Sequence, residues 1–415
     1  MKFYIETYGC TANKSDASLI KGILKQVNHE IVKDIKKADS IILITCTVIG
    51  TTEQKMLSRM RVFKKNNKTT IIAGCMASIQ EDLIKEILPD ALVLPPKYSY
   101  QILDIINNKN SFIEKDKTLF PKSYEDIIAP ISIAEGCLFS CSYCITSSAR
   151  GKLISYKKEE IGQDICQAIR QGCREIQLTA QDTSSYGLDI GSDLGKLLRY
   201  VCKINGEYKI RVGMMNPYTA NKNIDSIING FNNSKIYKFL HLPVQSGDNE
   251  ILKKMNRKYN VVNFIEIIKK FKARFHDITL STDVIVGFPT ETDEQFQHTI
   301  DLLKKIKPDI TNITRYSARP FTKAKSMNGR IKTEIVKQRS KILTELCKEI
   351  SFKKNIKYIG KKYNILVTEK GKNKTFVGRT NSYKPVVLKE KVKIGDFFEI
   401  KINDATATYL VGSII

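Results

Sequence analysis

"PISIAEGCLFSCSYC", residues 130–144, reads as a short apolar strand that runs directly into a loop bearing three cysteines. Cys137, Cys141 and Cys144 stand in a C-x₃-C-x₂-C spacing, with no histidine near them. A structural zinc ion wants four ligands, usually from paired knuckles or from cysteines combined with histidines. The four histidines, His29, His241, His276 and His298, are distant in sequence, and no second knuckle follows. Three thiolates suit a [4Fe–4S] cluster instead, because each iron needs one outer ligand and one iron then stays open. A zinc ion completed from a distant loop is the alternative at this point.

Working outward, that strand is the first of about six strand–helix units: "PISIAEG", "EIQLTAQ", "YKIRVGM", "IYKFLHL", "ITLSTDVIVG" and "ITNITRY", separated by amphipathic stretches such as "VVNFIEIIKKFKARF". Parallel strands with right-handed helical crossovers predict a partial (βα)₆ barrel with its chemistry at the C-terminal mouth. Gln181, Asp182, Asn216, His241, Gln245, Arg315 and Tyr316 follow the strands and belong at that mouth. Upstream, three apolar strands each end at a cysteine: "KFYIETYGC" at Cys10, "SIILITC" at Cys46 and "TTIIAGC" at Cys75. Helical patterns such as "KSDASLIKGILKQV" follow them, which predicts a parallel α/β sheet with the three thiols at one edge.

Residues 100–125, rich in Asn and Lys, read as a connecting segment. A basic amphipathic helix, "IKTEIVKQRSKILTELCKEI", leads into short alternating strands, "YNILVTEK", "KTFVGRT", "KPVVLKE", "DFFEIKI" and "ATYLVGSII", the pattern of a small β-barrel. The fold class is therefore α/β, divided into an N-terminal α/β domain (1–115), a central partial barrel (123–355) and a C-terminal β-barrel (356–415).

Composition agrees with a large globular protein: 415 residues suggest about three domains, and 42% are apolar and 27% charged. A net charge of +25 favours a polyanionic partner, nucleic acid first, although a lysine-inflating AT-rich genome is an equally good source of it. The N-terminus lacks a signal-peptide pattern and no apolar run reaches the length of a membrane span, so a cytoplasmic protein with no membrane contact is expected. In that reducing compartment ten cysteines point to metal or redox chemistry rather than a disulfide framework.

C-x₃-C-x₂-C after the first barrel strand resembles the radical S-adenosylmethionine (SAM) signature, and Tyr143 before the last cysteine suits it. With Cys10, Cys46 and Cys75 upstream and a TRAM-like tail, the whole chain is similar to the radical SAM methylthiotransferases. "RGKLISY", "QDTSSYG", "HLPVQSG", "MNRKY", "TDVIVGFPTET" and "GRTNSYKPVV" read like that family's motifs in order. The resemblance implies two [4Fe–4S] clusters, one held by Cys137, Cys141 and Cys144 that binds SAM, the other held by Cys10, Cys46 and Cys75 that presents sulfur. It implies SAM contacts at Tyr143, at Gln181 and Asp182 (methionine end), at Gln245 (ribose) and at Ile285 and Gly287 (adenine). Gln245 as a strand cap and Gly287 as a plain turn are the competing readings. No residue is assigned a catalytic role. Arg150 and Arg315 either pair with a carboxylate or phosphate or are surface charges, and Cys166, Cys173, Cys202 and Cys347 read as packing residues. "SARPFTKAKSM", residues 317–327, departs from the family by placing Phe321 and Lys323 where relatives tend to carry Gly and Pro.

Methylthiotransferases of this architecture divide between modified adenosines beside the tRNA anticodon and an aspartate of a ribosomal protein. From Lys357 to Ile415 twelve Lys and Arg face five Asp and Glu, as a phosphate-gripping surface would have. Tyr383, Phe397 and Phe398 either stack on bases or fill a core. "LTAQDTSSYGLDIG" and "RVGMMNP" resemble the archaeal and eukaryotic branch acting on N6-threonylcarbamoyladenosine, so the anticodon stem-loop of tRNA is the expected partner, with an electron donor and a sulfur source besides. The isopentenyl-adenosine tRNA enzyme, the ribosomal-protein enzyme and a non-catalytic, metal-containing tRNA-binding protein are the alternatives.

Overall fold

A computed structural model of the chain describes residues 1–48, 50–109 and 112–415. At its N-terminus β1 (Lys2–Thr7), β2 (Glu30–Val32), β3 (Ser40–Thr45), β4 (Thr69–Gly74) and β5 (Leu92–Leu94) form a parallel sheet in the order β2-β1-β3-β4-β5. Successive side chains of a strand point to opposite faces. Ile42, Ile44 and Ile71 accordingly pack with Leu19 and Ile23 on one side, while Ile41, Leu43 and Ile72 pack with Met60 and Phe63 on the other. The three strands that sequence pattern marks are the central ones, β3 and β4 buried on both faces and β1 partly so. β2 and β5 are three-residue edges, too short to leave a pattern.

The barrel strands are β6 (Ile128–Ser132), β9 (Glu175–Thr179), β10 (Lys209–Val212), β11 (Phe239–His241), β12 (Thr279–Val286) and β13 (Ile310–Arg315), with β7 (Ala134–Glu135) and β8 (Ile154–Ser155) pairing antiparallel beside the cysteine loop. They make two parallel three-stranded sheets, β6-β9-β10 and β11-β12-β13, joined by a single parallel bridge between Ile210 and Ile236. The six strands read from the sequence are all present. Their interior is one apolar core, to which Cys173, Cys202 and Cys347 contribute as small packing residues, while Cys166 is half-buried.

After the helix Thr333–Asn355, β14 (Lys362–Lys370), β15 (Phe376–Thr380), β16 (Pro385–Leu388), β17 (Phe397–Ala405) and β18 (Leu410–Ile414) close into a barrel in the order β14-β15-β16-β18-β17. This small barrel is seated on the end of the central barrel opposite the mouth, where the strands begin. The Tyr383 hydroxyl donates to Glu175 Oε1 at 2.8 Å, and its ring lies 4.8 Å from Tyr237 and 5.1 Å from Phe239 with Arg211 over its face. Lys384 Nζ, buried, donates to Asp309 Oδ1 and to Asn355 Oδ1, each at 2.8 Å. Tyr383 thus belongs to an interface between the barrels, and Phe398 packs into the tail's own core. Of the two readings of these rings, packing against protein is the one found for Tyr383 and, half-buried, for Phe398.

The connecting segment is also more than a tether. Lys117 and Lys122 are buried and ion-paired, Lys117 to Asp16 and Glu135 and Lys122 to Asp164. Among the described residues, no helix is long and apolar enough to cross a membrane.

Candidate functional site: two thiol triplets around one opening

Adjacent parallel strands end side by side, and β1, β3 and β4 are neighbours in the sheet, so the residues after them meet. Cys10 caps the helix Thr11–Gln26, Cys46 follows β3, and Cys75 opens the helix Cys75–Ile79. The approach is close enough that a Cβ on Gly9 would stand 2.7 Å from Cys46 Cβ. Cys46 and Cys75 are buried and Cys10 is exposed. Burial pushes the Cys75 thiol up to about 11, against the pull of the Arg150 guanidinium, and burial raises Cys46 as well. Asn13 bridges the strand ends, donating to Tyr8 O at 2.7 Å and Thr45 O at 2.9 Å while its Oδ1 faces Cys75 Sγ at 3.9 Å.

Cys137, Cys141 and Cys144 lie half-buried on the loop after β7. Each sulfur accepts an N–H: Cys137 from the Phe139 backbone (3.5 Å), Cys144 from the Thr146 backbone (3.4 Å) and Cys141 from Arg257 Nη1 (3.2 Å). Such hydrogen bonds favour the thiolate over the thiol and tune a bound cluster. Burial alone opposes that, pushing Cys137 up to about 12 and raising Cys144. Binding a metal would displace the protons of such thiols. Among the described residues, no three His, Cys, Asp or Glu side chains are drawn up as ligands of one metal ion.

A cavity of about 310 Å³ opens beside Cys144, and Tyr143, Gln245 and Ile285 line it together. Gln245 holds a left-handed φ of 72°, a conformation that costs a bulky residue about 1 kcal/mol or more. Its N–H donates to Asp283 O and its carbonyl accepts from Ile285 N, so the residue is also paired with β12, as a strand cap would be. Gly287 has φ 76°, and a Cβ there would come within 2.5 Å of Val336; it is a turn that excludes other residues, at the edge of the same region with Arg315 and Tyr316. Among the described residues, Gln181 Oε1 and Tyr316 Oη are buried with no hydrogen-bond partner, as groups waiting for a ligand would be. Asp182 is different. Its Oδ1 accepts from Ser184 N, Ser184 Oγ and Asn216 N and its Oδ2 from Thr219 Oγ1, so both oxygens clamp the β9 loop to the β10 loop. A donor set of three thiols, each with an N–H, next to a cavity with orphaned polar atoms fits a cluster-bound SAM.

The two triplets are bridged by side chains. Arg150 ends the helix Thr146–Arg150 that begins just after Cys144, and it is buried. It bonds Glu135, Asp16 Oδ2 at 2.7 Å and Asn13 Oδ1 at 2.8 Å, and Lys117 completes a quartet by reaching Asp16 and Glu135 at 2.8 Å each. Arg150 is therefore a buried carboxylate partner, whereas Arg315 is exposed at the cavity. On the other side Arg319, buried, pairs with Glu53 and approaches Thr47, next to Cys46. Sequence reasoning passed over Arg257, Arg319 and Asn13. "MNRKY" and "SARPFTK" marked the two arginines' neighbourhoods, but nothing local tells which charged residue turns inward.

Family models match three parts of the chain: the radical SAM superfamily over residues 131–303, the uncharacterized protein family UPF0004 over 2–94 and the TRAM domain over 357–415. The chain is 42% identical to a probable threonylcarbamoyladenosine tRNA methylthiotransferase of Archaeoglobus fulgidus, covering 100% of this chain and 99% of that one. It is 33% identical to a tRNA-2-methylthio-N(6)-dimethylallyladenosine synthase of Fusobacterium nucleatum, covering 100% of both. Its fold resembles that of the radical SAM methyltransferase TsrM from Kitasatospora setae, with a TM-score of 0.58 at 12% identity over 78% of this chain and 75% of that one.

Proposed function

The chain belongs to the threonylcarbamoyladenosine tRNA methylthiotransferases of the radical SAM superfamily, and from that premise we propose that it adds a methylthio group to C2 of N6-threonylcarbamoyladenosine beside the tRNA anticodon. The observation that carries this reading is a chain whose similarity runs from end to end, with a cavity beside Cys144 and a thiol triplet in each of two domains that Arg150 ties together. Membership implies SAM and a [4Fe–4S] cluster; a second cluster at Cys10, Cys46 and Cys75 is our extension of it. When bound, these cofactors supply a 5′-deoxyadenosyl radical able to take hydrogen from an unactivated adenine carbon, the sulfur that replaces it, and a methyl group.

The protein's part is position and exclusion of water. Cys137, Cys141 and Cys144 would hold the first cluster, with the N–H groups of Phe139, Thr146 and Arg257 stabilising their sulfurs. Tyr143, Gln245 and Ile285 would enclose the nucleoside of SAM, with Gly287 at the edge, and Gln181 offers its free carbonyl oxygen toward the methionine end. Asp182 acts by holding the loop that carries Gln181. Arg150 and Arg319 set the separation of the two triplets, so that the base reaches both from one position. In a single-stranded anticodon loop, turning that base out costs little.

Nucleoside mass spectrometry of tRNA from cells expressing the chain tests the reading. The methylthio form of threonylcarbamoyladenosine should appear, and should vanish when either triplet is changed to Ala. Replacing Cys137, Cys141 and Cys144 should halve the iron and abolish SAM cleavage. Replacing Cys10, Cys46 and Cys75 should leave cleavage and stop sulfur insertion. Methylthiolation of the isopentenyl base or of a protein instead would overturn the substrate.

A further inference from the structure

Phe321 is 75% exposed and holds φ at 59°. Bulky side chains rarely adopt that left-handed conformation, which glycine meets without cost. The ring contributes nothing to the core, so folding does not explain why a strained backbone carries an aromatic there.

Its position suggests a use. Both feet of its loop are fastened to the rim of the proposed site. On one side Ser317 and Arg319 line the cavity that Tyr143 and Gln245 share, and Arg319 reaches Thr47 and Glu53 beside Cys46. On the other, Ala324, fully buried, donates its N–H to Ser142 O at 2.7 Å, between Cys141 and Cys144. Thr322 Oγ1 ties back to Arg319 O at 2.7 Å and stiffens the crest between the two. Phe321 therefore sits on a crest whose two feet are fixed beside the cavity, one reaching toward Cys46 and the other held between Cys141 and Cys144. Val48, which lines the same cavity, is exposed as well. Lys323, Lys325 and Arg330 are exposed around the crest, and among the described residues none has a carboxylate within ion-pair distance. An exposed ring amid unpaired cations is the chemistry that holds single-stranded nucleic acid, the ring stacking on a base and the cations meeting phosphates.

We propose that Phe321 is a stacking platform for an unpaired base of the tRNA anticodon loop, flanked by phosphate contacts from Lys323 and Lys325, which positions the neighbouring base to enter the cavity. The inference rests on the tRNA reading above. Stacking of this kind is sequence-tolerant, so the platform selects an open loop rather than a base.

The test is binding of a synthetic anticodon stem-loop RNA to the full chain, by fluorescence anisotropy over a range of salt. Phe321→Gly and Phe321→Leu should each weaken binding by about five- to 150-fold, the value of one base stack, with the salt slope unchanged. Phe321→Trp should bind as the parent does. Changing Lys323 and Lys325 together to Ala should instead flatten the log–log salt slope by roughly 0.7 for each phosphate no longer neutralised. Phe321→Gly should melt no lower than the parent, since it relieves the left-handed φ, so weaker binding is not a sign of misfolding. If the parent binds the stem-loop and both the Gly and Leu variants bind it equally well, the inference is overturned alone. If the parent does not bind the stem-loop, the tRNA reading falls and takes the inference with it.

Discussion

Arg150→Met tests the buried bridge between the two triplets most directly. In the parent, two cations and two carboxylates balance: Arg150 and Lys117 against Asp16 and Glu135, with side-chain exposures of 1%, 8%, 5% and 8%. Methionine keeps much of the volume but leaves two carboxylates sharing one ammonium, an uncompensated buried charge. Breaking a buried pair in this way costs about 3–5 kcal/mol, a large part of the roughly 5–15 kcal/mol that holds a domain together. Adding Glu135→Gln removes the surplus charge and leaves the Lys117–Asp16 pair, so the double variant should recover about 0.5–3 kcal/mol. Urea unfolding of the metal-free chain, followed by circular dichroism because the sequence has no tryptophan, measures both. The pH dependence supplies a second arm. Burial alone would raise the Asp16 carboxyl, yet Lys117 and Arg150 outweigh it and hold it below the ordinary value. A carboxyl lowered by folding stabilises the protein above its unfolded pKa of about 3.9, and that contribution is lost as pH falls through the folded value. The gap between parent and Arg150→Met should therefore hold at neutral pH and narrow below about pH 4. A loss under about 1 kcal/mol, or a double variant no more stable than the single one, would refute the reasoning.

Arg257→Met removes the N–H to Cys141 and should shift the barrel cluster to a more negative midpoint, with Arg257→Lys recovering part of it; a redox titration by electron paramagnetic resonance in the Cys10/Cys46/Cys75→Ala background reads this, and an unchanged midpoint at full iron content would count against that hydrogen bond. Tyr383→Phe should destabilise the chain by about 1–3 kcal/mol through loss of a hydrogen bond to the buried Glu175, measured by urea unfolding; a neutral result would mean that the ring alone seats the tail. Deleting residues 357–415 should weaken tRNA binding and flatten its salt dependence, and it should also lower the melting temperature of the remainder, since it uncovers Tyr237, Phe239 and Asp309. A remainder that melts as the parent does would show that the small barrel is an independent attachment.

The strands and the thiols were legible for a local reason. A central parallel strand must be apolar on both faces, so "SIILIT" and "TTIIAG" announce themselves, and a cysteine directly after such a strand is carried to the sheet's edge wherever the helices go. The barrel's six strands are legible as apolar runs, and the tail's five as short alternating runs between turn residues. The charged residues were not. Lys117, in a stretch that reads as a solvated linker, and Arg150, which reads equally well as a surface charge, become buried only because Asp16 and Glu135 arrive from elsewhere in the chain to neutralise them. Tyr383 carries the same lesson: alternation marks it as a strand-end aromatic, and only the docking of one barrel on the start of another decides that its ring faces protein rather than RNA.

Sequence alone therefore determined the main strands, their order and the cysteines placed at their ends, because periodicity and strand termini are properties of a few consecutive residues. Tertiary structure decided which charges are interior, which rings are covered, and that the Phe321 ring is left exposed. Those depend on free energies of burial and pairing, and a residue's burial is set by partners that arrive from other segments of the chain.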